Sequence, residues 1–89
     1  MAAGYLGLKP EDMQELIGVL NTKAGKINDI ISRLSKEVRG TTWDGPDAER
    51  FKNDWDSNLS VKLRNVQRSL EEIAKSAKSE LNQQTTTSR

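Results

Sequence analysis

Two long apolar rhythms, separated by a short glycine-flanked segment, constrain this chain more than any other feature. Met13, Ile17, Leu20, Ala24, Ile27, Ile31, Leu34 and Val38 follow one another in alternating steps of four and three. That spacing is a heptad repeat, which keeps one stripe of a helix turned toward a packed neighbour. Leu16 and Ile30 broaden the stripe on one side. A second series runs through Ala48, Phe51, Trp55, Leu59, Leu63, Val66, Leu70, Ile73, Ala77 and Leu81, with an extra step of four near Trp55. The extra step predicts a stutter, a local unwinding of the supercoil.

Local chemistry sets the boundaries. Pro10 suits the first helical position, where its missing N–H costs nothing, and Glu11, Asp12 and Glu15 complement the helix dipole. With Lys9 as the cap, Leu8 and Met13 have the spacing of a hydrophobic staple. Lys36 and Arg39 suit the last turn, and Gly40 is a natural stop. Pro46 opens the next helix behind a cap at Asp44 or Gly45, with Asp47 and Glu49 in its first turn. The expected organisation is a flexible arm over 1–8, one helical domain over 9–82 and a disordered polar tail over 83–89. Within the domain, helices over 10–39 and 46–82 flank a turn at 40–45.

A short connection makes long helices antiparallel neighbours, so the fold class is all-α, a two-helix hairpin. Thirty helical residues reach about 45 Å, which is a rod. Each apolar stripe is wider than a two-helix seam, so a second hairpin is expected to complete a four-helix bundle. Gly18 and Gly25 are weak points of the first helix, or places where another helix comes close.

Composition excludes several functions. The 89 residues include no cysteine and no histidine, which removes disulfides, the usual zinc ligands and any histidine-based nucleophile activation. A formal net charge of +1 with interspersed signs gives no electrostatic reason to bind nucleic acid or an anionic membrane. No apolar run reaches the roughly 18 residues that span a bilayer, and the N-terminus lacks a basic leader. The reading is therefore a chain made in the cytoplasm without a cleavable signal peptide, with no enzyme activity, cofactor, metal site or stable membrane insertion.

The residues around the turn carry the functional signal. Trp43 sits in a short polar segment, where a large exposed ring is costly, and Gly45 lets the chain turn sharply beside it. Ala48, Phe51 and Trp55 follow on one helical face. Phe51 and Trp55 read first as the cap of the hairpin core. Trp43 reads equally well as core or as an interface anchor.

The pattern Trp-x-Gly-x-x-Ala-x-x-Phe-x-x-x-Trp, at Trp43, Gly45, Ala48, Phe51 and Trp55, resembles the centre of the WXG (Trp-X-Gly) family. These are the early-secreted-antigen-like small proteins of type VII secretion in Gram-positive and mycobacterial lineages. The likeness runs from Leu8 to about Gln84, with the motif near the midpoint. It implies a homodimer or heterodimer with another such hairpin, and export or surface display through a machinery with an FtsK-like ATPase. It also implies that Trp43 and Gly45 occupy the turn, the Trp43 ring lining a groove against the partner. Ala48, Phe51, Trp55, Leu59, Ile31 and Leu34 complete the expected partner-binding set. Secreted pairs often carry Tyr-x-x-x-Asp/Glu after the second helix of one partner, and here this chain departs, since its single tyrosine is Tyr5. The export signal then belongs to the partner or takes another form, or the chain is not exported by itself.

Two other readings stay open: a cytosolic coiled-coil tether, and a nucleic-acid-binding helical hairpin. Asp44, Asp47, Asp54 and Asp56 lack the spacing of a calcium loop and are expected to cap helices or face water. Lys62, Arg64 and Arg68 form a small basic patch, for which pairing with Asp56, Glu71 and Glu72 is the default expectation.

Overall fold

The computed structural model describes residues 9–87. Its elements are α1 (Pro10–Gly40), α2 (Pro46–Asp54), a π-helical turn (Trp55–Leu59) and α3 (Ser60–Thr87). The last three run on without a break, so the described chain is two long helices joined by 41–45. The helices lie side by side in opposite directions: Trp55 meets Ser35 near the turn and Arg64 meets Asn28 farther along. The radius of gyration is 19.7 Å, against about 12 Å for a compact chain of this length.

The helix starts follow the expected chemistry. Pro10 and Pro46 each lie in a first turn, with Glu11 and Asp12, or Asp47 and Glu49, beside them. Lys9 caps α1, and its carbonyl accepts the Met13 N–H at 3.0 Å. The stop is different from the one expected. Gly40 belongs to α1, and Thr41 ends it in an extended conformation. The Thr41 backbone N–H and hydroxyl both donate to the Glu37 carbonyl, at 2.9 and 2.6 Å. That threonine satisfies an orphan carbonyl without a left-handed glycine.

The second helix corrects one expected boundary. It does not end at 82 but continues to Thr87. No glycine or proline interrupts 82–87, and propagating an existing helix is far easier than starting one. Of the tail expected to be disordered, 83–87 is helical, while 88–89 and the arm 1–8 with Leu8 lie outside the described residues. The extra step near Trp55 is taken up as a π turn, closed by the Ser60 N–H on the Trp55 carbonyl. Ser57 and Ser60 hydroxyls bond the Asn53 and Asp56 carbonyls at 2.7 and 3.2 Å. Such back-bonding supports backbone whose ladder is locally widened. The wide turn under-rotates the chain by nearly one residue, which returns the seam to α1.

After the π turn the seam follows Leu63, Gln67, Leu70, Ala74, Ala77 and Leu81, all half-buried or buried. Val66 and Ile73, expected in that seam, lie outside it and are exposed. In α1 the seam residues Met13, Ile17, Leu20, Ala24, Ile27, Ile31 and Val38 are half-buried or buried as spaced, but half-buried Ser35 replaces exposed Leu34. The core is thin: among the described residues Ala24, Ile31, Ala48, Trp55, Ala74 and Leu81 are buried.

Gly18 and Gly25 are exposed, and a Cβ on either meets nothing within 4 Å. Replacing both with alanine is expected to stabilise the chain by about 1–2 kcal/mol, since each helical glycine costs up to about 1 kcal/mol. A urea midpoint that fell in the double variant would show that the glycines admit a close neighbour.

Candidate functional site

The turn is built around Gly45. Its φ of +112° and ψ of 174° lie in a region that essentially only glycine adopts. In this geometry it caps α2, its carbonyl accepting the Glu49 N–H at 3.0 Å. Two residues before it, Trp43 leans on Phe51 with ring centroids 5.7 Å apart and planes tilted by 45°. The Lys52 ammonium donates to the Trp43 carbonyl at 3.2 Å. The two rings shield one another only in part, leaving Trp43 43% and Phe51 42% exposed.

The expected partner-binding residues divide into two groups. Ala48, Trp55 and Ile31 are buried inside the hairpin, and Leu59 is half-buried. The Trp55 indole N–H donates to the Ser35 hydroxyl at 2.9 Å, which fixes the ring between the helices. Trp43, Phe51 and Leu34 are exposed. Only this second group offers a surface to another molecule, together with residues that the spacing argument assigned to the core.

Large apolar side chains between 41% and 52% exposed run along the hairpin. On α1 these are Leu16, Val19, Ile30 and Leu34, spaced along one edge of the seam. On α3 they are Val61, Val66 and Ile73; the last two are one heptad apart and each just before a seam residue, whereas Val61 lies elsewhere on the helix. Leu16 and Ile30 likewise precede the seam residues Ile17 and Ile31. In an antiparallel pair of right-handed helices, residues preceding the seam on both partners point to the same side. Phe51 lies on that side of α2 by the same rotation. The result is a face rich in exposed apolar side chains, interrupted by Lys23, Lys26 and Lys62, that the hairpin itself does not cover.

The opposite face is polar. Arg64 donates to the Asn28 and Gln67 amide oxygens at 2.6 and 2.8 Å, and Gln67 donates to Glu71 at 3.2 Å. Arg68 donates to Asn65 at 3.0 Å. The expected pairing of Arg64 and Arg68 with Glu71 and Glu72 is therefore not what forms; neutral amides take the guanidinium groups. The ion pairs present among the described residues are Arg39–Asp56 at 3.8 Å and Arg50–Asp47 at 2.8 Å. Ser35, Asn28 and Gln67 were not legible as site residues. Ser35 and Gln67 fill seam positions that the apolar rhythm gives to Leu34 and Val66, and Asn28 lies beside the seam, so the spacing carried no signal for them.

Among the described residues no helix is long and apolar enough to cross a membrane, and no cluster of acidic residues is placed to hold a metal ion. No protein-family model, curated protein or solved structure matches the chain.

Proposed function

We propose that this chain is a binding protein of the WXG type, which pairs its apolar face with a second helical hairpin to form a four-helix bundle. The carrying observation is the set of exposed apolar side chains on one face, Leu16, Val19, Ile30, Leu34, Val66 and Ile73, together with the exposed Trp43–Phe51 pair by the turn. Several large apolar side chains left exposed on one face favour an interaction surface over a solvated one. The partner is another hairpin, identical or different. The pair serves type VII secretion as substrate, co-substrate or targeting partner, read by an FtsK-like ATPase. The chain contributes recognition and no catalysis. The sequence motif at Trp43, Gly45, Ala48, Phe51 and Trp55 supports the secretion assignment.

Light scattering over a concentration series tests the pairing. Self-pairing predicts a species of twice the 10.0 kDa chain mass. A different partner predicts a monomer that doubles its mass only with the neighbouring gene product. Trp43→Ala is expected to weaken pairing by about 2 kcal/mol, the scale of an interface anchor. Unchanged affinity in that variant would remove Trp43 from the interface. Salt-dependent retention on DNA would favour the nucleic-acid reading, and a gene setting without a membrane ATPase would favour the tether.

A further inference from the structure

The face opposite the apolar stripe carries a feature that helix pairing does not use. Arg39 from α1 and Arg64 and Arg68 from α3 line one open groove of about 540 Å³, with Asp56 as its lone carboxylate residue. Ile31 forms part of the lining, and Val61 adds an exposed apolar wall on an otherwise polar side.

Three arginines against one carboxylate residue in the lining leave the groove positive. The cations are also held in place. Arg64 is half-buried and uses one nitrogen to reach both Asn28 and Gln67, at 2.6 and 2.8 Å. Arg68 is steadied by Asn65 at 3.0 Å. Neutral amide acceptors orient a guanidinium without cancelling its charge, so the remaining N–H groups stay available. Arg39 reaches Asp56 only at 3.8 Å with both side chains well exposed, a contact that a better acceptor displaces. Arg64 and Arg68 also repel one another at a spacing of four residues, which is mildly destabilising in an isolated helix. Planar guanidinium forks of this kind match carboxylates in bidentate geometry.

We infer that this groove binds an acidic peptide segment of a partner protein, its carboxylates on Arg39, Arg64 and Arg68 and a small apolar side chain against Val61. A peptide is favoured over nucleic acid because the positive field is confined to one short groove on a chain of net charge +1. The inference is independent of pairing through the apolar face, since the two surfaces lie on opposite sides of the hairpin.

The probe is a fluorescein-labelled peptide of alternating glutamate and valine, followed by fluorescence anisotropy with the full chain. Its counterpart with glutamine for glutamate, and single-stranded DNA of equal charge, serve as comparisons. The acidic peptide is expected to bind, to weaken as salt is raised, and to bind more tightly than either comparison. The double variant Arg39→Gln, Arg68→Gln is expected to lose about tenfold or more in affinity, as removal of charge-assisted bonds implies. Its melting temperature should be that of the wild type, because neither arginine joins the two helices by a short bond. Arg64→Lys should keep part of the affinity while losing the fork. Tighter binding of DNA, equal binding of the glutamine peptide, or undiminished binding by the double variant would each overturn the inference. The light-scattering mass of the double variant separates the two hypotheses: pairing should persist when peptide binding is lost.

Discussion

Trp55→Ala is expected to cost about 3–5 kcal/mol, the range for truncating a large buried aromatic residue. Trp55 is the largest of the buried side chains, and its indole N–H reaches Ser35 across the hairpin. It also stands at the first residue of the π turn, where the second helix changes phase. Its loss opens a cavity, orphans the Ser35 contact and loosens the turn that keeps the later seam aligned. A domain of this length has a total stability of roughly 4–13 kcal/mol, so the variant sits near the threshold of folding. Thermal melts by circular dichroism at matched protein concentration should fall by more than about 12 °C. Trp55→Phe keeps most of the apolar area and loses the hydrogen bond, for which about 1 kcal/mol is expected. A Trp55→Ala variant melting within a few degrees of the parent would show that the ring does not hold the helices together.

Gly45→Ala carries the second largest effect, about 1–3 kcal/mol. The cause is purely conformational. A Cβ at this position meets nothing within 4 Å, so crowding plays no part, but a φ of +112° is strained for any side chain. The residue must hold this geometry because its carbonyl starts α2. Alanine therefore forces either strain or a shifted cap, and a shifted cap moves Trp43 relative to Phe51. Equilibrium urea unfolding reads the loss. An unchanged midpoint would mean that the connection relaxes freely and does not position the aromatic pair.

The two variants mark what the sequence makes legible. Helix starts were readable because Pro10 and Pro46 act locally, through a fixed φ and an absent N–H. The α1 seam was readable because Ile17, Ala24 and Ile31 repeat in register without a break. The second seam was readable at Leu63, Leu70, Ala77 and Leu81 but not at the alternate positions between them. Between Leu63, Leu70 and Ala77 a step of three then four and a step of four then three are equally helical, so choosing the larger apolar residue at each step selects Val66 and Ile73. The structure instead turns Gln67 and Ala74 inward. Gln67 is tolerated there because its amide bonds Arg64 and Glu71, a pairing that no spacing rule contains. The site divides in the same way. Trp43 and Gly45 announce a special turn by residue type alone. Which of Phe51 and Trp55 faces inward depends on the hairpin's rotation: Trp55 packs between the helices, and Phe51 stays outside against Trp43.

The dimensions of the rod, 66 × 16 × 16 Å, also govern how the molecule moves through water. Its length is about four times its width, so its drag exceeds that of a sphere of equal mass. It therefore elutes from a sizing column ahead of globular standards. A second hairpin laid alongside adds girth and no length, so the friction rises much less than the doubled mass. Elution volume is then a blunt indicator of association for this shape, and scattered intensity, which follows mass directly, is the sharp one.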